Sequence, residues 1–185
     1  MRLFFAGEIP DAQIFFLRQI QDRLKGKSVD VKWVEPDNFH ITFSFLGEVN
    51  PQKLGQLKKI GEEVSGLYRQ FPVSFSSLGA FPSRRNPKII WIGIEQGKEP
   101  LALIAKELHR KLRSQGFAVE DREFKPHLTF GRVRSNKGIE WLIRKLELPF
   151  PEFPEFLFTH FSLKESHLTP GGAIYKTVFD FLGKP

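Results

Sequence analysis

Phe39-His40-Ile41-Thr42-Phe43-Ser44-Phe45-Leu46-Gly47 is echoed later in the chain by Pro126-His127-Leu128-Thr129-Phe130-Gly131-Arg132. Both copies run histidine, apolar residue, threonine, phenylalanine. Successive side chains of a strand point to opposite faces. In the first copy Phe39, Ile41, Phe43 and Phe45 then share one face, and His40, Thr42 and Ser44 share the other. In the second copy Leu128 and Phe130 oppose His127 and Thr129. Each copy reads as a strand with an apolar back and a front bearing one imidazole and one hydroxyl. A lone His-x-Thr triplet more often marks an ordinary half-exposed strand. Here the two histidines lie 87 residues apart (127 − 40), close to half of the 185-residue chain, which points to duplication into two similar lobes. Two imidazoles on matching strands can face each other across a shared cleft.

The second copy poses a problem of parity. Strict alternation past Phe130 would carry Arg132 and Arg134 onto the apolar face, a costly place for charge. A bulge at Gly131 shifts the alternation by one. Arg132 and Arg134 then join His127 on the cleft face, and Val133 returns to the core. The alternative is a strand that ends at Gly131, with both arginines in solvent.

Composition sets the frame. A chain of 185 residues is long enough for a sizeable core, and no linker-like segment divides it, so residues 1–185 are read as one two-lobed domain. The 20 phenylalanines far outnumber the 2 tyrosines and 3 tryptophans, so much of that core is expected to be phenyl packing. No apolar run approaches a bilayer span, and the apolar start at Leu3-Phe4-Phe5 is too short for a secretory signal. A cytoplasmic monomer is expected. The lack of cysteine excludes disulfides, thiolate metal sites and cysteine nucleophiles. The net charge of +7 favours a polyanionic partner such as RNA, although a generally basic surface would give the same figure.

Along the chain, Leu3 to Glu8 reads as a strand, and Pro10-Asp11 opens a helix to about Leu24, with Ile14, Leu17, Ile20 and Leu24 inward. Asn50-Pro51 starts a second helix with Leu54, Leu57, Ile60 and Val64 buried. Phe71 to Leu78 and Lys88 to Ile94 read as strands around a basic loop, Ser83-Arg84-Arg85-Asn86-Pro87. Glu99 to Ser114 is a helix with Leu101, Ile104, Ala105, Leu108 and Leu112 inward, and Asn136 to Leu146 another. Phe156 to Leu168 and Ala173 to Phe181 form a hairpin turned by Thr169-Pro170-Gly171-Gly172. The pattern predicts an α+β fold. It has two pseudo-symmetric lobes, each a mainly antiparallel sheet with outer helices, enclosing a central cleft.

Two histidines, two threonines and one or two arginines, without clustered carboxylates, suit a phosphate. In-line displacement at phosphorus needs a base on the attacking oxygen and an acid on the leaving oxygen, on opposite sides. Imidazole performs either task near neutral pH. Threonine hydroxyls donate to non-bridging oxygens, and arginine binds them bidentately. The acids nearest the histidines, Glu35, Asp37, Glu48, Asp121 and Glu123, show no metal-ligand spacing.

These residues carry a resemblance to the two-histidine phosphoesterases, specifically the RNA 2',3'-cyclic phosphodiesterases, also called RNA 2',5'-ligases. It extends from Arg2-Leu3-Phe4-Phe5-Ala6, through Trp33 to Gly47 and Pro126 to Arg132, to Leu163-Lys164-Glu165-Ser166 and the Gly172…Tyr175 hairpin. The resemblance implies a two-lobed fold with a water-filled cleft. It implies hydrolysis of RNA or nucleoside 2',3'-cyclic phosphate to a 2'-phosphate, without metal or cofactor, and a reversible 2',5'-ligation of RNA ends. The implied substrates are RNA with 2',3'-cyclic phosphate ends, or cyclic nucleotides. His40 and His127 would be the catalytic pair, Thr42 and Thr129 phosphate ligands, and Arg132 a further phosphate contact. His40 would donate a proton to the leaving 3'-oxygen and His127 accept one from water. The near-identity of the two copies does not itself distinguish acid from base. The alternative is a non-catalytic nucleotide- or RNA-binding module in the same cleft, against which stand intact histidine and threonine in both copies. A nucleoside also needs stacking contacts. Candidates are Phe45, Trp33 and Arg84-Arg85, although alternation assigns Phe45 to the core, Trp33 can pack beneath the sheet, and Arg84-Arg85 reads equally as a solvated loop. His109, His160 and His167 are read as structural or solvent-facing.

Overall fold

The computed structural model describes residues 1–26, 28–149, 151–170 and 172–185. The expected helices form where apolar periodicity places them. In α1 (Asp11–Leu24) Leu17, Ile20 and Leu24 are buried, and the same face also buries Gln13 and Gln21. The Asn50 side chain accepts from the Gln52 amide at 3.0 Å, capping a short 3-10 turn that leads into α2 (Leu54–Ser65). Helices α3 (Lys98–Ser114) and α4 (Ile139–Leu146) follow, with all five predicted inward residues of α3 buried.

The strands are β1 (Arg2–Glu8), β2 (Val31–Trp33), β3 (His40–Glu48), β4 (Phe71–Val73), β5 (Phe75–Ser83), β6 (Asn86–Ile94), β7 (His127–Val133), β8 (Phe156–Phe158), β9 (His160–Thr169) and β10 (Gly172–Leu182). The main sheet runs β10-β9-β1-β3-β7-β6-β5, with β2 added to β7, and every pairing in it is antiparallel. Two runs read as single strands are each split. Ser74 exchanges backbone hydrogen bonds with Glu95 and Gln96, and the segment before it leaves the sheet as β4 to pair with β8. Thr159 separates β8 from β9 in the same way. The predicted turn from Thr169 to Gly172 includes Gly171, which lies outside the described residues.

The architecture is α+β with two lobes, as predicted, but neither lobe is one half of the chain. One lobe holds β1, β3, β9 and β10, against which α2 and α3 pack. The other holds β2, β5, β6 and β7, with α1 paired to α4 and tied to β7 through Gln21. Each lobe therefore draws strands from both halves of the chain. The lobes meet where β3 adjoins β7, and there the ladder consists of one pair, Ile41 opposite Leu128. Extending that antiparallel register by one residue each way sets His40 against Thr129 and Thr42 against His127. A pseudo-twofold axis passes between the two doubled motifs.

Both strands then bulge at the same motif position. On β1 the consecutive residues Phe5 and Ala6 pair with Ser44 and Thr42, which leaves Phe43 without a partner. On β6 the consecutive residues Ile90 and Trp91 pair with Gly131 and Thr129, which leaves Phe130 without one. In each strand the bulged phenylalanine and its successor are both buried, and the next side chain, Phe45 or Arg132, is exposed. The parity shift expected at Gly131 is thus present, with Phe130 as the extra residue. It also occurs in β3, where no glycine announced it, and Phe45 leaves the apolar face to which alternation assigned it. Arg132 faces the cleft and Val133 packs on the core. Arg134 lies beyond the end of β7 and does not line the cleft.

The core is largely phenyl packing, with Phe5, Phe161 and Phe181 in mutual contact at ring-centroid distances of 5.2 to 6.1 Å. Helix α2 reaches this cluster through Gly61, where an added Cβ would clash with the edge of the Phe181 ring. Gly61→Ala tests that packing. Helix propensity alone favours alanine by about 1 kcal/mol, whereas overpacking a filled core costs about 1–3 kcal/mol. Packing wins here because Phe181 is itself enclosed, so the variant should show a lower urea midpoint. An unchanged or higher midpoint would mean that α2 does not bear on the sheet at this point.

Candidate active site

The face shared by the two motifs opens into a cleft of about 740 Å³. Strand β3 contributes His40, Thr42 and Phe45, and β7 contributes His127, Thr129 and Arg132. The hairpins of the two lobes close its ends with Tyr175 from β10 and Phe81 from β5. Glu120 to Lys125, the segment before β7, forms one rim. All five side chains singled out from the motifs are therefore brought together.

The two imidazoles are held alike. His40 Nδ1 lies 2.7 Å from the Asn38 carbonyl oxygen, and His127 Nδ1 lies 2.6 Å from that of Lys125. A carbonyl only accepts, so each Nδ1 carries hydrogen and each neutral ring presents the Nε2 lone pair. The Thr42 hydroxyl, 2.9 Å away, donates to His40 Nε2. No protein group among the described residues engages His127 Nε2. Asn38 is itself fixed, since its side-chain amide donates to the Ala173 carbonyl on β10 at 2.8 Å. A 3-10 turn at Pro36–Asn38 and the far hairpin thus set the His40 ring together.

Aromatic rings flank both histidines. Phe4 and Tyr175 lie 5.1 and 5.3 Å from the His40 ring. Phe81 and Trp91 lie 5.3 and 6.3 Å from that of His127. These walls strip water from the rings and disfavour their charged forms. Burial lowers His40 from 6.5 to about 4, opposed by the Asn38 carbonyl and reinforced by the Lys164 charge. Burial lowers His127 as well, opposed by the Lys125 carbonyl. Among the described residues no carboxylate lies within ion-pair distance of Arg132, so a guanidinium faces the cleft without a protein counter-ion. Nor do any three histidine, aspartate or glutamate side chains among those residues stand close enough to hold a metal ion.

The remaining candidates divide between the cleft and the rest of the fold. Phe45, assigned to the core by alternation, is 48% exposed and lines the cleft. Trp33 packs against the core. The Arg84 guanidinium donates to the Leu78 carbonyl within its own hairpin at 2.7 Å, and it is Phe81 of that hairpin that lines the cleft. His160 bonds Thr159, His167 pairs with Glu165, and neither lines the cleft. His109 does line it, donating to a backbone carbonyl of β3. Sequence reasoning missed Asn38, Phe81 and Tyr175 as cleft groups. Only the aromatic next to Pro82 and the single tyrosine of the last hairpin offered a signal.

The family model "LigT like Phosphoesterase" matches this chain twice, over residues 9–91 and 92–175, with one histidine motif in each match. An RNA 2',3'-cyclic phosphodiesterase of Archaeoglobus fulgidus is 41% identical over 177 residues, covering 95% of this chain and 97% of the relative. One from Aeropyrum pernix is 34% identical, covering 89% and 93%. Among solved structures, TT0787 of Thermus thermophilus superposes with a TM-score of 0.81 at 25% identity, covering 98% and 97% of the two chains. E. coli LigT complexed with 3'-AMP superposes with a TM-score of 0.82 at 23% identity, covering 100% and 98%, a likeness of fold. The paired histidine strands, their common cleft and both family matches lead to one conclusion: the chain belongs to the LigT-like phosphoesterase family.

Proposed function

We propose that this protein hydrolyses 2',3'-cyclic phosphate on RNA ends or nucleosides to the 2'-phosphate, without a metal ion. The observation that carries this reading is the pair of imidazoles whose Nε2 atoms face one cleft, His40 bonded there to Thr42 and His127 open, beside Thr129 and an Arg132 with no ion-pair partner among the described residues. Relatives named RNA 2',3'-cyclic phosphodiesterase, up to 41% identical along nearly the whole chain, support the substrate class.

In this reading the cyclic phosphate sits between the rings, its non-bridging oxygens taking hydrogen bonds from Thr42, Thr129 and Arg132. His127 accepts a proton from water as the water oxygen attacks phosphorus. The bond to the 3'-oxygen breaks on the opposite side, and His40 delivers a proton to it. The open His127 Nε2 favours its role as acceptor. The depressed His40 favours its role as donor, because an imidazolium destabilised by burial releases its proton readily. An anionic phosphate must first supply the charge that lets His40 take one up. A 5'-hydroxyl in the place of water would give a 2',5'-linkage by the same displacement, which is the proposed ligation.

Turnover of a 2',3'-cyclic nucleotide in excess EDTA tests the reading. The intact protein should be active, and His40→Ala and His127→Ala should each lose about a hundredfold to ten-thousandfold in kcat. Nucleotide binding without turnover would instead make the cleft a binding module.

The pH dependence follows from the same burial. The empty cleft holds both rings below 6.5, and a bound anion favours the charged forms and raises them. The kcat/KM profile follows the free protein and kcat the complex. The kcat/KM bell should therefore centre below pH 6.5, with apparent values belonging to the coupled pair, and the kcat bell should lie at higher pH. A kcat/KM optimum above neutrality, or coincident bells, would contradict the assigned electrostatics.

A further inference from the structure

The bulges at Phe43 and Phe130 turn Phe45 and Arg132 into the cleft, and a bulge interrupts the ladder to the neighbouring strand, leaving the Phe130 carbonyl the Val34 amide at 2.8 Å as its backbone donor. Each bulged carbonyl accepts from a helix side chain. On the second lobe Gln21 of α1, fully buried, donates from Nε2 to the Phe130 carbonyl at 3.1 Å and to that of Val34 at 2.7 Å. On the first lobe His109 of α3 has Nε2 2.9 Å from the Phe43 carbonyl. Since the carbonyl only accepts, Nε2 must carry the hydrogen. Helices α1 and α3, which stand near the start of the two family matches and pack on different lobes, thus make the same contact at the same motif position.

We propose that His109 and Gln21 are positioning residues that clasp the two bulges, and that His109, by holding Phe43, aims Phe45 at the base of the bound nucleotide. This rests on the cleft's assignment as a nucleotide phosphate site. His40 and Thr42 precede the bulge and are held independently through Asn38, so the clasp acts on nucleoside recognition and leaves the phosphate position alone. Gln21 shows that an amide performs the same task, which makes glutamine the conservative replacement for His109.

The test compares His109→Leu, His109→Gln and Phe45→Ala with the intact protein. The readouts are KM and kcat on a 2',3'-cyclic nucleotide and the affinities for adenosine 2'-monophosphate and inorganic phosphate. Loss of one base stack is on the order of tenfold. His109→Leu should raise KM and weaken the nucleotide by about that factor, with kcat and phosphate affinity within twofold, and His109→Gln should restore both. In a Phe45→Ala background His109→Leu should add nothing further, because the two act as one unit. The proposal is overturned if His109→Leu leaves nucleotide affinity unchanged, weakens inorganic phosphate equally, or adds its full effect to Phe45→Ala. It is also overturned if glutamine fails to rescue a variant whose thermal midpoint matches the intact protein. Absence of turnover in the intact protein would refute the hydrolase reading alone, because the ratio of nucleotide to phosphate affinity still reports on the clasp.

Discussion

One backbone pairing organises the cleft. Ile41 of β3 and Leu128 of β7 are buried side by side where the lobes meet, and the antiparallel register there is the only one that aligns each histidine with the threonine of the other copy. A slip of one residue would send every motif side chain to the opposite face. Ile41 and Leu128 would go to water and the imidazoles into the phenyl core. Burial of these two residues therefore fixes the register, and the register brings four polar groups onto one face of the cleft. The symmetry of the patch suits an in-line displacement, whose entering and leaving oxygens also lie on opposite sides of one atom.

Burial then gives the cleft its chemical character. Aromatic walls on both rings disfavour their charged forms when the cleft is empty, with Nδ1 hydrogens committed to backbone carbonyls, the His40 Nε2 lone pair taken by Thr42 and that of His127 open. Charge enters with the ligand. In the proposed reaction Arg132, which has no ion-pair partner among the described residues, attracts the anion, and that anion allows an imidazole to become an acid. The net charge of +7 agrees with a partner that is itself a polyanion.

The motif residues were legible because strand alternation is a short-range rule that the doubled phrase displays directly. His40, Thr42, His127 and Thr129 all lie where period two puts them. The rule failed at its first interruption. Glycine at position 131 flagged one bulge, so Arg132 could be placed. Phe43-Ser44 carries no such flag, and Phe45 was assigned to the wrong face. What makes that bulge tolerable is a histidine 66 residues away on a helix, a contact that no local pattern encodes. The exchange of strands between lobes was likewise invisible, because duplication suggests that each half folds on itself, whereas β9 and β10 join β1 and β3, and β2 and β5 join β6 and β7. Gln21 was hidden for the opposite reason, being a polar residue on an apolar stripe, where hydrophobic periodicity is blind to it.

The most direct measurement is a crystal structure with a nucleoside vanadate that mimics the five-coordinate phosphorus. The account predicts the metal-oxygen centre between the two rings, with His127 Nε2 within hydrogen-bond distance of one apical oxygen and His40 Nε2 within that distance of the other, the 3'-oxygen. Thr42, Thr129 and Arg132 should engage the equatorial oxygens. A vanadate bound by one histidine alone, or with both rings on the same side, would contradict it.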